Sequence, residues 1–245
     1  MKRIWIVTLF PDYFDSFLSE GIAGQAFSGK RGEYFDVQVI NPRDFALDNH
    51  QSVDAYPYGG GAGMVMRPDI LETALLEGVV AQGAYDQEQI KEQLTIVCPG
   101  PRGTPWKNKV AKDFAVNHLA GEKDLVFICG RYEGIDERFL EKYVDQHFSI
   151  GDFILTGGEL AVMVMLDSAV RFVPGILGNK ESAQTESFQQ NLLEEPMYTR
   201  PALFGETPVP AILTSGNHAK VDEYRKQERL RMTSKYRPDL LEKKS

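Results

Sequence analysis

The amino-acid sequence predicts an α/β fold with a largely parallel sheet. Four short apolar runs are bounded by Pro, Gly or charged residues, as buried parallel strands usually are; they cover residues 4–10, 35–40, 94–98 and 125–129. Helical patterns separate these runs, and strands that alternate with helices are typical of a parallel sheet. Such sheets bind ligands beyond the carboxyl ends of their strands. We therefore expect the functional site where these strands end.

Each remaining element follows from a local pattern. Residues 12–18 and 68–80 have apolar positions at helical spacing. Residues 159–172 are apolar or small on nearly every side, which indicates a buried helix. The third and fourth strands run into glycine-containing turns at residues 99–103 and 130–134, where backbone amides are free to meet a ligand. These two turns are the first candidates for a site.

A change of composition divides the chain. Residues 176–191 are mainly polar, and four prolines follow before a helical pattern begins near the C-terminus. We predict a large domain of residues 1–175, a linker of residues 176–191 and a small, mostly helical domain of residues 192–245.

The charge is distributed unevenly. The formal net charge is −8, which taken alone argues against a nucleic-acid partner. Residues 215–245, however, carry nine Lys and Arg against five Asp and Glu. This basic tail could hold a polyanion, and a solvated amphipathic helix explains the same charges equally well.

Cysteine, histidine and hydropathy patterns exclude several classes of protein. Cys98 and Cys129 each close an apolar run, which favours buried free thiols in a reducing compartment over a disulfide or a metal site. The four histidines are scattered, so neither a zinc site nor a His-based triad is supported. No stretch reaches the roughly 18 apolar residues that a membrane helix needs. We expect a cytoplasmic protein that does not enter a membrane.

Two glycine-rich segments are candidates for close approach to a ligand. Residues 59–63 lack the Lys and Ser or Thr of a phosphate-binding loop, so their local chemistry favours a tight turn. In residues 149–160, three glycines flank a short apolar run that opens into the predicted buried helix. That arrangement suits contact with an adenine and a ribose, although an ordinary strand-to-helix turn explains it as well.

Two charged residues have ordinary explanations when they are considered alone. Arg171 ends the predicted buried helix among apolar neighbours, where a guanidinium needs a carboxylate or a ligand acceptor. A structural salt bridge would satisfy that need. Glu186 lies in the polar linker, where a single carboxylate is normally solvated.

Taken together, several motifs resemble the bacterial tRNA (guanine-N1)-methyltransferase family, TrmD. Their order and spacing match over nearly the whole chain. The matching segments are residues 8–11, 57–64, 129–138, 149–160, 171–178, 198–201, 213–218 and 237–241.

The resemblance implies a SPOUT-type α/β domain with a deep trefoil knot, followed by the helical C-terminal domain. It also implies a homodimer whose active sites combine both subunits. The expected cofactor is S-adenosyl-L-methionine, with Mg²⁺ as a possible second one, and the expected partner is tRNA. The reaction is transfer of a methyl group to N1 of the guanine at position 37, beside the anticodon.

The resemblance also assigns site residues. The expected cofactor-binding residues are Gly130, Arg131, Tyr132, Glu133, Ile150, Gly151, Asp152, Phe153, Ile154, Leu155, Gly157 and Gly158. Glu186 is the expected general base, and Arg171 is expected to hold O6 of the guanine while negative charge grows there. The residues expected to bind RNA in the C-terminal domain are Asn217, His218 and Arg225.

The chain departs from the family pattern at two places. Glu186 stands where the family typically has Asp, so its longer side chain must reach the proton from a shifted backbone. Pro101 and Gly103 keep the frame of a turn in which the family often has Gln where Arg102 stands. Two alternatives therefore stay open: a knotted methyltransferase that acts on another RNA or another atom, and an RNA-binding protein that has lost turnover.

Overall fold

A computed structural model describes residues 1–177 and 186–242. The chain divides into two compact units, Met1–Gly178 and Asn179–Ser245, and the division falls within the predicted linker. Each unit is described separately below.

The N-terminal unit is an α/β structure built on a five-stranded sheet in the order β2-β1-β6-β5-β7. Every neighbouring pair in this sheet is parallel, which confirms the predicted fold class. The strands are β1 (Lys2–Val7), β2 (Phe35–Ile40), β5 (Leu94–Pro105), β6 (Asp124–Ile128) and β7 (Gln146–Ser149); a separate antiparallel pair is formed by β3 (Asp54–Ala55) and β4 (Val65–Met66).

Short helices and helical turns cover both faces of the sheet. The α-helices are α1 (Asp15–Ser19), α2 (Gly21–Phe27), α3 (Pro68–Thr73), α4 (Ile90–Gln93), α5 (Asn108–Phe114), α6 (Glu137–Tyr143) and α7 (Glu159–Val170). Two of them continue directly into π-helical segments, α3 into Ala74–Ala81 and α5 into Ala115–Leu119. Short 3₁₀ segments lie at Pro11–Phe14, Pro42–Phe45 and Gln87–Gln89.

The core has two halves because side chains alternate between the faces of a strand. In β1, Ile4 and Ile6 pack into one cluster, whereas Trp5 and Val7 pack into the other. All four are almost completely buried, which explains why this strand is a continuous apolar run with no polar face.

Two predicted boundaries were wrong, and one strand was not predicted. The first strand ends at Val7, because the chain turns into the 3₁₀ segment before α1. The predicted turn at residues 99–103 is an irregular continuation of β5, whose pairing with β7 shifts between Pro99 and Thr104. The edge strand β7 was not predicted, because its sequence QHFS has only one large apolar side chain.

The described part of the C-terminal unit is mainly helical. Its longest element is α8 (His218–Tyr236), a 19-residue helix. A small antiparallel pair consists of β8 (Leu203–Phe204) and β9 (Thr207–Pro208), and 3₁₀ segments occur at Gln189–Asn191, Ala211–Thr214 and Pro238–Leu240.

Candidate active site

A cavity of about 380 Å³ opens at the carboxyl ends of β6, β5 and β7, which are neighbours in the sheet. Its walls are residues 99–101 from β5, residues 130–134 after β6, residues 148–151 and 153–158 from the end of β7 onward, and Ala161 in α7. The predicted position of the site, beyond the strand ends, therefore coincides with a cavity of ligand size.

The structure brings together almost all the residues expected to bind a cofactor. The cavity is lined by Gly130, Arg131, Tyr132, Glu133, Ile150, Gly151, Phe153, Ile154, Leu155, Gly157 and Gly158. Asp152 is the exception: it is exposed and is not among the lining residues.

A buried carboxylate lies behind one wall of the cavity. Only 1% of the Glu159 side chain is exposed, and it forms a 2.9 Å ion pair with Arg131. The Nε of Arg131 donates a second bond to Glu159 Oε1 at 3.1 Å, and the hydroxyl of Thr8 donates to the same oxygen at 2.6 Å. These contacts compensate the cost of burying the charge and connect the residue after β1, the turn after β6 and α7.

The other contacts of Arg131 hold its guanidinium in a fixed orientation. The group lies 4.3 Å from the ring centre of Phe10 and 5.3 Å from that of Tyr13, and its Nη1 donates to the carbonyl of Thr156 at 3.2 Å. Burial lowers the pKa of Arg131, but its hydrogen bond to Glu159 and its contact with Tyr13 outweigh burial, so the pKa lies above the ordinary value. Arg131 is thus a permanent cation that joins two walls of the cavity.

Glycine is required where the two main walls meet. The amide of Gly158 donates to the carbonyl of Gly130 at 2.9 Å, and a Cβ at Gly158 would lie 2.9 Å from the Cα of Cys129. A Cβ at Gly157 would lie 2.2 Å from Nε of Arg131. The backbones can therefore approach this closely only without side chains.

The loop at residues 59–63 is a tight turn that also reaches the cavity wall. Gly59, Gly60, Gly61 and Gly63 all have positive φ, as the local chemistry suggested. A Cβ at Gly63 would lie 2.4 Å from the side chain of Glu133, a lining residue. The sequence favoured the turn over a ligand contact, and the structure shows that the turn supports a wall of the cavity.

Sequence reasoning missed the residues that hold Arg131. Thr8, Phe10, Tyr13 and Glu159 were not predicted as site residues, because each is a common residue type whose role depends on a distant partner. Thr8 and Glu159, for example, are 151 positions apart. The one available signal was an acid at the start of an apolar helix, where the positive end of the helix dipole favours it.

The two residues expected to be catalytic lie in different units. Arg171 is the C-cap of α7 in the N-terminal unit and is partly buried. Glu186, also partly buried, lies in the C-terminal unit.

The three residues expected to bind RNA lie in or next to α8. Asn217 is its N-cap, and its side chain accepts a hydrogen bond from the amide of Lys220 at 3.1 Å. His218 is exposed at the first helical position. Arg225 lines a cavity of the C-terminal unit. Asn217 therefore has a structural role that accounts for its residue type without RNA.

Neither cysteine pairs with the other. Cys98 and Cys129 are both buried free thiols, and burial raises the pKa of Cys98 to about 12. Among the residues described, no group of three or more His, Cys, Asp and Glu could hold a metal ion. No helix in the described part of the chain is long and apolar enough to cross a membrane.

Comparison with known proteins gives one consistent result. The family model described as tRNA (Guanine-1)-methyltransferase TrmD matches residues 1–243. A tRNA (guanine-N(1)-)-methyltransferase of Geobacter sulfurreducens is 46% identical over 97% of this chain and 90% of its own length. A protein of the same description from Brevibacillus brevis is 48% identical over 98% of this chain and 92% of its own length. Another, from Gloeothece citriformis, is 41% identical over 98% of this chain and 97% of its own length.

Proposed function

The chain belongs to the tRNA (guanine-1)-methyltransferase family TrmD, and on that basis we propose that it methylates N1 of the guanine at position 37 of tRNA. The observation that carries this proposal is the family match over residues 1–243. A cavity lined by residues that the motif resemblance assigned to the cofactor supports it. The methyl donor of this methyltransferase is S-adenosyl-L-methionine, whose sulfonium supplies an activated methyl group.

The cavity has the size and chemistry that S-adenosyl-L-methionine requires. Its volume of about 380 Å³ lies within the range of ligand sites, and Ile150, Ile154 and Leu155 give it apolar walls for an adenine ring. Glycine backbones on two sides leave peptide groups accessible to polar atoms of the ligand. The carboxylate of Glu133 in the wall suits a ligand that carries positive charge.

The reaction needs two groups besides the methyl donor. N1 of guanine carries a proton and is a poor nucleophile, so a general base must remove that proton. As the proton leaves, negative charge grows towards O6 and requires a cation or a donor. We assign Glu186 as the base and Arg171 as the group that holds O6, because the motif resemblance gives them these positions.

The length of α7 supports an active site shared between two subunits. Gly158, in the cavity wall, immediately precedes α7, and Arg171 immediately follows it. Twelve helical residues span about 18 Å, which is longer than an arginine side chain. Arg171 is therefore better placed to serve the cavity of a second copy than its own.

The exposed apolar surface of α7 supports a homodimer for the same reason. Leu160 and Val164 lie one helical turn apart, and nearly half of each is exposed. In the adjoining loop Phe153 and Ile154 are also exposed. A second copy packed on this helix would cover these side chains, and we propose that the enzyme is a homodimer.

Mg²⁺ and cellular location complete the proposal. The described residues offer no metal-binding cluster, so any Mg²⁺ would be held mainly by RNA phosphates with one or two carboxylates, and no step is assigned to it.

The reducing compartment suggested by the two free thiols, and a tRNA substrate, support action in the cytoplasm.

The test of the function is transfer of labelled methyl from S-adenosyl-L-methionine to unmodified tRNA transcripts with guanine or adenine at position 37. We expect product only from the guanine transcript, with the label mapped to N1. Label at another atom or another position would replace the assigned substrate. Bound cofactor without any transfer would indicate a protein that has lost turnover.

The base assignment is tested by Glu186→Gln, with Glu186→Asp as the matched control. The amide cannot accept the proton, so turnover should fall by about a hundredfold or more. The shorter carboxylate should retain activity. Calorimetric binding of S-adenosylhomocysteine should be equal in all three proteins; full activity of Glu186→Gln would assign the base elsewhere.

A further inference from the structure

A second cavity lies wholly within the C-terminal unit and shares no residue with the cofactor cavity. It has a volume of about 440 Å³ and is lined by residues between Glu195 and Arg225, which come from the segment before β8, from the 3₁₀ segment at Ala211–Thr214 and from α8. Nothing in the methyl transfer itself accounts for a cavity of this size in this unit.

Two tyrosines give this cavity aromatic surface. About half of Tyr198 is exposed, and Tyr224 on α8 is the second tyrosine in the lining. Met197, 79% exposed, lies beside them in the lining. A half-exposed ring on a cavity wall offers a flat, apolar face that a planar ligand can stack against.

Charged groups of both signs complete the lining. Arg200 has neither an ion pair nor a hydrogen bond within residues 186–242, so its guanidinium is available to an anion. Arg225 is 3.5 Å from Glu195, and only 18% of the Glu195 side chain is exposed. The cavity therefore combines an available cation with a largely buried carboxylate.

This set of groups matches one class of ligand. Unpaired RNA bases are bound by stacking on aromatic side chains and by hydrogen bonds to their edges, while arginines contact the phosphates. A carboxylate accepts hydrogen bonds from the amino and imino groups of a base. A cavity of about 440 Å³ lies in the size range of small-ligand sites, so it has room for a single nucleotide.

We propose that this cavity binds one unpaired nucleotide of the tRNA substrate, with its base stacked on Tyr198 and its phosphate paired with Arg200. The inference rests on the proposed function, since it takes tRNA as the ligand. We take this nucleotide to be distinct from the guanine that is methylated, because the lining of this cavity contains neither Glu186 nor Arg171 nor any residue of the cofactor cavity. The second cavity thus contributes to tRNA affinity and not to the chemical step.

The stacking contact is tested by Tyr198→Ala, with Tyr198→Phe and Tyr236→Ala as controls. Tyr236 is an exposed tyrosine of the same unit that does not line the cavity. Loss of one base-stacking contact should weaken binding of full-length tRNA by about tenfold. Tyr198→Phe keeps the ring and Tyr236→Ala leaves the cavity intact, so both should bind tRNA nearly as tightly as the wild type.

The phosphate contact is tested by Arg200→Ala and Arg200→Lys, with binding measured over a series of salt concentrations. Removal of one phosphate contact from a single-stranded segment should reduce the slope of log K against log salt by about 0.7. Arg200→Lys should restore the slope, and Tyr198→Ala should leave it unchanged.

Kinetics and cross-linking separate this inference from the proposed function. We expect Tyr198→Ala to raise KM for tRNA and to leave kcat at saturating tRNA unchanged. Ultraviolet cross-linking of wild-type enzyme to tRNA should give a nucleotide adduct on the peptide that contains Tyr198. If the wild type methylates tRNA but the variant has an unchanged KM and the peptide carries no adduct, the inference is wrong and the function stands.

One further outcome would also overturn the inference. If Tyr198→Ala changes the sedimentation coefficient and not the affinity for tRNA, a second copy of the chain occupies the cavity. If Tyr198→Ala has lost the circular dichroism of the wild type, Arg200→Ala decides the question: a salt slope equal to that of the wild type overturns the inference, and a slope reduced by about 0.7 supports it.

Discussion

Glu159 shows how a single buried charge organises the cofactor cavity. A carboxylate that is 1% exposed is destabilising unless it is paired, and here Arg131 and Thr8 supply three contacts from two other elements. Arg131 is itself held by Phe10 and Tyr13. The position of the guanidinium in the cavity wall thus depends on one carboxylate.

Replacement of Glu159 by Gln should therefore destabilise the protein. The amide keeps the shape but leaves a partly buried arginine without its counter-charge, which should lower the free energy of unfolding by about 3 kcal/mol. Chemical denaturation monitored by circular dichroism measures this change. Glu141→Gln, at an exposed position of α6, should change stability by less than about 0.5 kcal/mol. Equal stability of the two variants would contradict the assigned role of Glu159.

The two thiols provide a prediction about pH. Burial raises the pKa of Cys98 to about 12, and burial together with the charge of Glu159 raises that of Cys129 well above its ordinary value. Both groups are therefore neutral thiols in the folded protein at pH 8, and a neutral thiol is a poor nucleophile. A disulfide reagent such as DTNB should label neither cysteine at pH 8, and both after unfolding in guanidinium.

The raised pKa values of the two thiols decide how their contribution to the free energy of unfolding depends on pH. Below about pH 8.5, the ordinary pKa of a free thiol, both states hold their protons and the thiols contribute no pH dependence. Above it the unfolded chain loses protons that the folded chain keeps, so stability falls as the pH rises. Rapid labelling of the native protein at pH 8 would show that these thiols are accessible.

At the scale of elements, the irregular end of β5 faces the turn after β6 across the cofactor cavity. Pro99, Gly100 and Pro101 line the cavity, whereas Arg102 forms hydrogen bonds of 3.2 and 2.7 Å with Glu137 at the start of α6. An exposed ion pair therefore connects the end of β5 to the start of α6, just beyond the cavity lining. Arg102 is one of the two residues at which the chain departs from the family pattern.

This pair should have a small, mutual effect on cofactor binding. We expect Arg102→Ala and Glu137→Ala each to weaken binding of S-adenosylhomocysteine by about two- to threefold, because exposed pairs are weak. The double variant should be no weaker than either single variant, since the two changes remove one interaction. Calorimetry at low and high salt measures the affinity of each variant for S-adenosylhomocysteine. If the double variant loses the product of the two single losses, or if the losses persist at high salt, the two residues act separately.

At the scale of the molecule, the homodimer that we propose would complete the active site. The cofactor residues converge at one end of this helix, and Arg171 lies at the other end, about 18 Å away. The apolar side chains Leu160 and Val164 remain uncovered between them. A second copy would cover the helix and supply the missing arginine, so assembly and turnover should be lost together.

Val164→Glu tests that connection. A charge in an apolar interface opposes association because it must be desolvated, so we expect sedimentation velocity to show a monomer that has lost turnover. Val116→Glu is the matched control, since Val116 is also exposed but lies outside α7. It should sediment and react like the wild type. An active monomer would place the whole active site within one chain.

Hydrophobic periodicity and glycine placement are local properties, and they sufficed for the fold class. The buried strands Phe35–Ile40 and Asp124–Ile128 lie within one residue of their predicted ends, and the helix at Glu159–Val170 within two. The turn that follows β6, one of the first candidates for a site, lines the cavity. The assignment of a cofactor to these turns required the likeness to a family, because a glycine turn has no chemistry specific to one ligand.

The sequence by itself therefore determined that this chain is an α/β protein and pointed to a candidate site at the ends of parallel strands, since hydrophobic periodicity and glycine turns are properties of neighbouring residues. Only the tertiary structure decided which turns meet, because the order β6-β5-β7 is set by pairings between strands far apart in the chain. It also decided that Thr8, Arg131 and Glu159 form one network. A buried charge is stable only where distant partners converge, and no local pattern reveals that convergence.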